Sequence, residues 1–313
     1  MPRTIESSTF AGRDIISMRD FSRDEILYLL DAVKQFAGEH RPLLEGKILA
    51  TLFFEPSTRT RLSFESAMNR LGGAAIGFAD MRVSSTTKGE SLSDTIRVVE
   101  GYCDVIVIRH PADGSARLAA EAAQLPVING GDGTNQHPTQ TLLDLYTIQQ
   151  TRGHLEDLRI AFLGDLKYGR TVHSLIETLS CFGCHLTLVA PPGLGLPTDL
   201  MQDLRERGVD LMERELLSDV DPDVDVIYTT RIQKERFPDQ LEYERVKHTY
   251  QLDRSVLTSF RKDVTLMHPL PRVREIHPEL DSYEGSAYFR QAHNGVLVRK
   301  TLLALVLGAY REE

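Results

Sequence analysis

The 313-residue sequence predicts an α/β fold of two doubly wound parallel-sheet domains, with a ligand site in the cleft between them. Three observations lead to this prediction. Short apolar runs of strand length alternate with stretches whose apolar residues recur every three or four positions, as in βα units. Basic residues follow several predicted strands, at the end where open α/β sheets bind ligands. The length also suits two domains of about 150 residues better than one core.

The first predicted element is one amphipathic helix over residues 14–45. Ser22 and Glu25 have the spacing of a capping box, in which each side chain bonds the backbone N–H group of the other residue. Apolar residues downstream recur at helical spacing and mark a buried face. Nothing in this helix indicates chemistry, so we interpret it as structural.

A strand and a helix are predicted within residues 47–73, joined by the run E-P-S-T-R-T-R. Residues 48–54 are almost all apolar, as in a strand that is buried on both faces. The helix after the turn has apolar residues at i, i+3, i+4 and i+7, and Gly72 is a suitable stop signal. The turn therefore lies at a strand end and opens a helix.

The charge of this turn is unusual. Arg59 and Arg61 would lie at the positive end of the helix dipole, which disfavours a cation by about 0.3–1 kcal/mol. A bound anion resolves the conflict, because backbone N–H groups, two hydroxyls and a guanidinium together suit a phosphate. The alternative is an ordinary helix cap by Ser57 or Thr58 with solvated arginines.

The remaining elements continue the alternation. Further strands are predicted over residues 104–108, 126–128, 159–163, 186–189, 224–229 and 264–267. Helices are predicted from near residue 138, over 172–179 and over 295–310. Residues 82–90 are polar and rich in Ser and Thr, which is typical of an exposed loop. We place the domain boundary after the helix that begins near 138, which gives domains of 1–150 and 151–290.

Arginine follows the ends of five predicted strands, as Arg59, Arg109, Arg170, Arg231 and Arg272. Because ligands bind at the carboxyl ends of strands in open α/β sheets, these side chains should meet a ligand. An acidic chain that concentrates positive charge at these points predicts a pair of polyanionic ligands between the two domains.

Composition excludes several classes of protein. A formal net charge of −9 argues against a general nucleic-acid binder, which needs a basic face. No apolar run reaches the roughly 18 residues of a membrane span, and the N-terminus lacks the apolar segment of a signal peptide. We therefore expect a cytoplasmic protein without membrane contact. Cys181 and Cys184 form an isolated C-x-x-C, which we interpret as two buried thiols rather than a metal or redox site.

Motifs of other enzyme classes are missing from the sequence. It contains no G-x-x-x-x-G-K-[ST], no G-x-G-x-x-G after a strand and no H-E-x-x-H. It also has no nucleophile elbow of the kind that serine hydrolases use. What remains is a set of arginines, hydroxyls and one histidine, which suits acyl-type transfer to an amine by electrostatic stabilisation, without a covalent enzyme intermediate.

Five motifs in chain order resemble the aspartate and ornithine carbamoyltransferase family. They are F-F-E-P-S-T-R-T-R, S-S-T-T-K-G-E, H-P-T-Q-T-L-L-D, T-R-I-Q-K-E and H-P-L-P-R. The resemblance covers nearly the whole chain. It implies transfer of a carbamoyl group from carbamoyl phosphate to an amine, with no cofactor and no metal. It also implies that the first domain binds carbamoyl phosphate, that the second binds the acceptor, and that the C-terminal helix 291–313 packs back onto the first.

The resemblance further implies roles for individual residues. The phosphate would be bound by Ser57, Thr58, Arg59, Thr60 and Arg109, with Ser84 and Lys88 from a neighbouring subunit. The carbamoyl carbonyl and its oxyanion would be stabilised by the catalytic residues Arg59, Thr60, Arg109 and His137, with Lys88 as a further catalytic residue. The carbamoyl amino group would be held by Gln140 and the carbonyls of Pro269 and Leu270. The acceptor would be bound by Arg170, Arg231, Gln233, Lys88 and Leu270.

The acceptor is expected to be L-aspartate, giving N-carbamoyl-L-aspartate and phosphate in an early step of pyrimidine biosynthesis. The basic T-R-I-Q-K-E and the H-P-L-P-R suit a dicarboxylate, whereas ornithine-specific relatives carry H-C-L-P. The alternatives are ornithine or another amine as acceptor, and a non-catalytic binding relative. A non-catalytic relative should have lost Lys88, His137 or a site arginine, and none is lost.

Two further expectations rest on the resemblance alone. The loop that carries Ser84 and Lys88 reaches a neighbouring active site in the family, which implies a homotrimer with shared sites. The Leu270–Pro271 bond is a candidate cis peptide. Whether regulatory chains bind the trimer is left open by the sequence.

Overall fold

The structure is a computed structural model that describes residues 5–80, 89–232, 244 and 250–311. The chain divides into two compact units. The first unit combines Met1–Tyr146 with His293–Glu313, and the second is Thr147–Ala292. Each unit is built around a sheet of parallel strands with flanking helices. The prediction of two parallel-sheet domains is therefore confirmed.

The sheet of the first unit consists, within the described residues, of β1 Ile48–Phe53, β2 Ala74–Phe78, β3 Val105–His110 and β4 Val127–Asp132. Its strands lie in the order β2-β1-β3-β4, and each neighbouring pair is parallel. The register pairs Phe53 with Arg109, so the carboxyl ends of the two central strands lie side by side.

The sheet of the second unit consists, in the same described ranges, of β5 Arg159–Leu163, β6 His185–Val189, β7 Leu211–Arg214, β8 Val226–Thr229 and β9 Thr265–Met267. The order is β7-β6-β5-β8-β9, again with all pairs parallel. Leu163 pairs with Thr229, so the ends of β5 and β8 are also neighbours.

The α-helices are α1 Arg23–Phe36, α2 Thr58–Arg70, α3 Leu92–Val99, α4 Ser115–Ala122, α5 Pro138–Arg152, α6 Arg170–Leu179, α7 Thr198–Glu206, α8 Arg254–Leu257 and α9 Tyr288–Val306. Short 3-10 helices cover Ser7–Thr9, Met18–Asp20, Glu100–Tyr102, Ser180–Phe182, Leu217–Asp219 and Pro278–Ser282. In the part of the chain that the structure describes, no helix has both the length and the hydropathy needed to cross a membrane.

The first predicted helix is shorter than its sequence pattern indicated. The capping box of Ser22 and Glu25 is confirmed, and it begins α1. The prediction of helix from residue 14 was wrong, because the preceding chain joins the sheet: Ile15 N–H donates to the Val127 carbonyl at 2.9 Å. Ile15 then pairs with Ile128 as an isolated parallel bridge. Apolar residues in this segment are buried by sheet pairing, which periodicity cannot distinguish from a helix face.

The C-x-x-C cysteines have different surroundings. Cys184 is buried and its thiol donates to the Leu155 carbonyl at 3.1 Å. Burial raises the pKa of Cys184 to about 12, so it is not a reactive thiolate at neutral pH. Cys181 is exposed, and the prediction of two buried thiols was therefore wrong for this residue.

The C-terminal helix α9 carries two basic residues that are buried within the first unit, Arg299 and Lys300. The Lys300 ammonium donates to the carbonyls of Ala37 and Glu39, at 3.3 and 2.8 Å, just beyond the end of α1. A cation suits this position because the last carbonyls of a helix have no partner within it. The contact ties α9 to the first helix of the chain.

Candidate active site

The turn between β1 and α2 has the geometry that an anion site requires. Ser57 is the N-cap residue of α2, with extended backbone angles, and its carbonyl accepts from Arg61 N at 3.2 Å. Within the described residues, the Ser57 side chain makes no capping hydrogen bond. The alternative of an ordinary helix cap by the Ser57 side chain is therefore not supported. The first N–H groups of α2 point beyond the strand end and are not capped by that side chain.

The two arginines of the turn differ in their surroundings. Arg61 forms an ion pair with Glu65 one helical turn later, at 3.5 Å between Nε and Oε1. Arg59 lies in the first turn of α2 and is exposed, while Thr60 beside it is buried. Arg59 and Thr60 thus follow the end of β1, and the charge of Arg61 is balanced within its own helix.

Arg109 is the last but one residue of β3, and its guanidinium is held from two sides. Nη1 donates to the Gly130 carbonyl of β4 at 3.1 Å, and Nη2 lies 3.4 Å from Oε1 of Glu55. The side chain is largely buried, with 11% of its surface exposed. Such contacts restrict the rotamers of Arg109 and direct a planar, charged donor to the ends of three adjacent strands.

His137 and Gln140 lie at the start of α5, after β4. His137 is buried, and its carbonyl accepts from the N–H groups of Gln140 and Thr141 at 2.9 and 3.2 Å. The Gln140 amide Nε2 donates to Oδ1 of Asp144 at 2.9 Å. Both predicted residues therefore occupy one helical turn beside the Arg109 strand end.

A buried carboxylate that sequence reasoning missed organises the loop before His137. Asp132, which is 1% exposed, accepts from Asn129 Nδ2, Gly114 N and Gln136 N at 2.9, 2.9 and 3.1 Å. These bonds join the end of β4 to the start of α4 and to the residue before His137. Asp132 stands between glycines in the run N-G-G-D-G, which is typical of a tight turn, and no sequence signal distinguishes it from a surface turn residue.

In the second unit, Arg170 and Arg231 follow the ends of the neighbouring strands β5 and β8. Arg170 is the first residue of α6, and Arg231 comes two residues after β8. Both are half-buried. Lys167, three residues before Arg170, is exposed, and its ammonium lies 5.2 Å from the ring centre of Tyr168. Two arginines thus follow the ends of adjacent strands.

The loop after β9 has a constrained backbone. The Leu270–Pro271 peptide is cis, as predicted, and Leu270 has a positive φ of 54°. His268 is 1% exposed, and its Nδ1 accepts from the Leu270 N–H group at 2.8 Å. Its Nε2 therefore carries the proton and donates to Oε1 of Glu275 at 2.7 Å. Glu275 also accepts from Val273 N and Arg274 N.

These contacts set the charge states of the pair. Burial lowers the pKa of His268, although the hydrogen bond to Glu275 opposes the shift. Burial alone would raise the pKa of Glu275, but the hydrogen bond from His268 and its other contacts lower it overall. A neutral imidazole, oriented by an ionised carboxylate, thus holds the backbone N–H group of Leu270 in place. Sequence reasoning selected Pro269 and Leu270 but not His268, although it belongs to the same H-P-L-P run.

Arg272 differs from the other strand-end arginines. Both of its terminal nitrogens donate to the carboxylate of Asp281, and one of these bonds is 2.7 Å long. Its guanidinium also lies 5.3 Å from the ring centre of Tyr288. A carboxylate of its own unit therefore balances the charge of Arg272, and its contribution to a ligand cluster stays a prediction.

Three predicted site residues, Ser84, Lys88 and Gln233, lie outside the described residues. The others form two groups. The first strand-end cluster comprises Ser57, Thr58, Arg59, Thr60, Arg109, His137 and Gln140 in the first unit. The second strand-end cluster comprises Arg170, Arg231, Pro269 and Leu270 in the second unit.

Two family models together match most of this chain. Residues 13–150 match the family described as aspartate/ornithine carbamoyltransferase, carbamoyl-P binding domain, and residues 156–306 match its Asp/Orn binding domain. The aspartate carbamoyltransferase catalytic subunit of Thermococcus onnurineus is 56% identical over 302 residues, covering 95% of this chain and 97% of that protein.

Solved structures show the same likeness. The catalytic subunit of M. jannaschii aspartate transcarbamoylase has a TM-score of 0.86 and 52% identity, covering 93% of this chain and 96% of that one. Aspartate transcarbamoylase from Trypanosoma cruzi in complex with carbamoyl phosphate and aspartate has a TM-score of 0.89 and 39% identity, covering 96% and 98%.

The His268–Glu275 pair predicts a pH dependence of stability. Because burial lowers the pKa of His268, the unfolded chain takes up a proton below about pH 6.5 that the folded chain does not. The contribution of His268 to the free energy of unfolding is therefore present at neutral pH and is lost as the pH falls. As the pH falls, we expect the free energy of unfolding to decrease more steeply for the wild type than for His268→Asn. The two slopes should differ by up to about 1.4 kcal/mol per pH unit.

Urea unfolding between pH 7 and 5.5 measures these slopes. Asparagine is chosen because its carbonyl can still accept from the Leu270 N–H group but does not titrate. The control is His154→Asn, the same substitution at an exposed position. Parallel slopes for the wild type and His268→Asn would contradict a buried neutral His268.

Proposed function

This chain belongs to the aspartate/ornithine carbamoyltransferase family, and on that basis we propose that it is an aspartate carbamoyltransferase. It transfers the carbamoyl group of carbamoyl phosphate to the amine of L-aspartate and releases N-carbamoyl-L-aspartate and phosphate, an early step of pyrimidine biosynthesis. The observation that carries the proposal is the Arg109 guanidinium, fixed at three strand ends beside the start of α2.

The first strand-end cluster binds carbamoyl phosphate in this proposal. The phosphate lies at the N-terminus of α2 and is bound by Ser57, Thr58, Arg59, Thr60 and Arg109, with Ser84 and Lys88 of a neighbouring subunit. Helix N–H groups and guanidinium forks are the donors that phosphate oxygens prefer. The missing Ser57 cap supports this arrangement, because the turn offers its hydroxyl and N–H groups to a ligand rather than to itself.

The same cluster activates the carbamoyl group. Thr60, Arg109 and His137 donate to the carbonyl oxygen, with Arg59 and Lys88 adding positive charge. Donors that are already in place when charge develops on this oxygen each stabilise the tetrahedral intermediate by a few kcal/mol. Support comes from the fixed position of Arg109 and from the Asp132 bonds that anchor the loop before His137.

The second strand-end cluster binds L-aspartate in this proposal. Arg170 and Arg231 each pair with one carboxylate, with Gln233, Lys88 and Leu270 as further contacts. The carbonyls of Pro269 and Leu270 accept from the carbamoyl amino group together with Gln140. The two adjacent arginine positions support a dicarboxylate over ornithine, whose side-chain ammonium they would repel.

The chemistry is a direct transfer. The neutral amine of aspartate attacks the carbamoyl carbon, a C–N bond forms, and the bond from carbon to the phosphate oxygen then breaks. The amine must lose a proton, and the departing phosphate dianion is the base that the reaction itself provides. No side chain forms a covalent bond with the substrate, so the contribution of the protein is orientation and electrostatic stabilisation.

Steady-state assays test the proposed function. Purified protein is given carbamoyl phosphate with L-aspartate or with L-ornithine, without added metal or nucleotide, and both phosphate and carbamoylated product are measured. Turnover with aspartate alone is expected. Turnover with ornithine would overturn the assignment of Arg170 and Arg231, and no turnover with either would favour a non-catalytic relative.

Replacing Arg231 should separate the two substrates. Arg231→Ala removes one charged partner of the aspartate carboxylates, so we expect the KM for aspartate to rise about 100-fold, as for loss of a charge-assisted hydrogen bond. The KM for carbamoyl phosphate should change less than about twofold, because its site lies in the other cluster.

The matched control is Arg214→Ala on β7, which removes an exposed arginine from the same unit and should leave both constants at their wild-type values. Equal loss of affinity for both substrates in Arg231→Ala would contradict the separate clusters.

We further propose that the chain forms a homotrimer with shared active sites. The edge strand β2 exposes Ile76, and the neighbouring helix α2 exposes Leu62, with 42% and 51% of their surfaces accessible. An exposed sheet edge with large apolar side chains favours association with another chain. The helix that carries Leu62 also begins with the phosphate turn, so a neighbour bound at this face would approach the first cluster.

Mixing two inactive variants tests the sharing of sites. Lys88→Ala and His137→Ala should each be nearly inactive alone. If one subunit supplies Lys88 to the site of another, dissociating and reassembling an equal mixture should restore about a quarter of the wild-type activity through random assortment. As the control, each variant is dissociated and reassembled alone. Sharing of sites would be contradicted if mass measurements show mixed trimers but the mixture stays inactive.

A further inference from the structure

A buried polar cluster lies behind Gln140 and outside the residues to which a role was given above. It consists of Asp144 and Thr139 on α5 and Arg299 on α9, all at most 3% exposed. All belong to the first unit. Buried charged side chains are costly unless they are paired, so this cluster requires an explanation.

Arg299 supplies a positive charge inside this unit. Its Nη2 donates to Thr139 Oγ1 at 3.2 Å, and its guanidinium lies 5.0 Å from the ring centre of Phe64 on α2. Burial lowers the pKa of Arg299 to about 9, and the carboxylate of Asp144 opposes the shift, so the side chain stays protonated at neutral pH. The guanidinium therefore contacts residues of α5 and α2 and interacts electrostatically with the Asp144 carboxylate.

Asp144 in turn determines the orientation of the Gln140 amide. Its Oδ1 accepts from Gln140 Nε2 at 2.9 Å, one helical turn away. An ionised carboxylate only accepts hydrogen bonds, so the amide must present its NH2 group to Asp144. Because the oxygen and nitrogen of a planar amide point in different directions, the carbonyl oxygen Oε1 of Gln140 is then directed away from Asp144.

We propose that the buried Asp144 is a positioning residue that makes Gln140 a hydrogen-bond acceptor toward the substrate and thereby selects carbamoyl phosphate over acetyl phosphate. The inference rests on the proposed function. A carbamoyl group carries an NH2 donor where an acetyl group carries a methyl group, and the two are similar in size. An acceptor fixed toward that position favours the carbamoyl group, because a methyl group leaves it without a partner.

The test compares the two acyl phosphates in Asp144→Asn. Asparagine has the shape of aspartate but offers both a donor and an acceptor, so the Gln140 amide is free to turn over. We expect the KM for carbamoyl phosphate to rise about tenfold, as for loss of one hydrogen bond to the substrate. The inhibition constant of acetyl phosphate should change less than about twofold, since it never made that bond.

Two further variants separate positioning from general damage. In the Gln140→Ala background, adding Asp144→Asn should not further change the ratio of the constants for carbamoyl phosphate and acetyl phosphate, because Asp144 acts through Gln140. Thr301→Val replaces a fully buried hydroxyl on α9 by a group of equal size and should leave the ratio of the two constants unchanged. Equal weakening of both acyl phosphates by Asp144→Asn, or additive effects in the double variant, would overturn the inference.

If Asp144→Asn does not fold, the inference can be tested on the wild type. The measurement is a crystal structure at subångström resolution, or a neutron structure, with phosphonoacetamide bound. It should show the Gln140 nitrogen toward Asp144 and the oxygen toward the ligand NH2 group, and the reverse orientation would overturn the inference. The proposed function fails separately, if the wild type does not carbamoylate aspartate. An active wild type whose Asp144→Asn variant keeps full discrimination contradicts only the role of Asp144.

Discussion

The parallel direction of the strands is the constraint on which the rest of the structure depends, because it brings every strand's carboxyl end to one edge of its sheet. In the first unit this edge carries Arg109, the start of α2 and the start of α5, and in the second it carries Arg170 and Arg231. A chain with a net charge of −9 thus concentrates positive charge where substrates arrive. The repulsion among these groups must be balanced by their surroundings until an anion binds.

Carboxylates outside the two strand-end clusters hold the neighbouring elements in place. Asp132 fixes the loop before His137, Asp144 orients the Gln140 amide, and the His268–Glu275 pair holds the loop of Leu270. Asp132 and Asp144 are buried and Glu275 is partly buried, and each carboxylate orients another side chain or backbone N–H groups. Donors and acceptors held in this way need little reorganisation as charge develops in the reaction, which is how fixed dipoles lower a barrier.

The sequence predicted the features that depend on local pattern. Buried strands such as β1 and β5 are continuous apolar runs, and residues after their ends could be assigned by position alone. The edge strands β2 and β7 were missed because most of their residues are exposed and show no buried run. Asp144 and Arg299 were also missed, since they are 155 positions apart in the chain and meet only after folding. Which carboxylate supports a site is decided by such long-range packing and not by a motif.

The central claim is that fixed charges and dipoles transfer the carbamoyl group directly, with no covalent bond to the enzyme. Isotope exchange tests it. The protein is incubated with carbamoyl phosphate and radiolabelled inorganic phosphate in the absence of aspartate, and label in carbamoyl phosphate is measured. Direct transfer predicts no exchange, because the bond to phosphate breaks only after the amine attacks. Label in carbamoyl phosphate would reveal a carbamoyl-enzyme formed without the acceptor and would contradict the account.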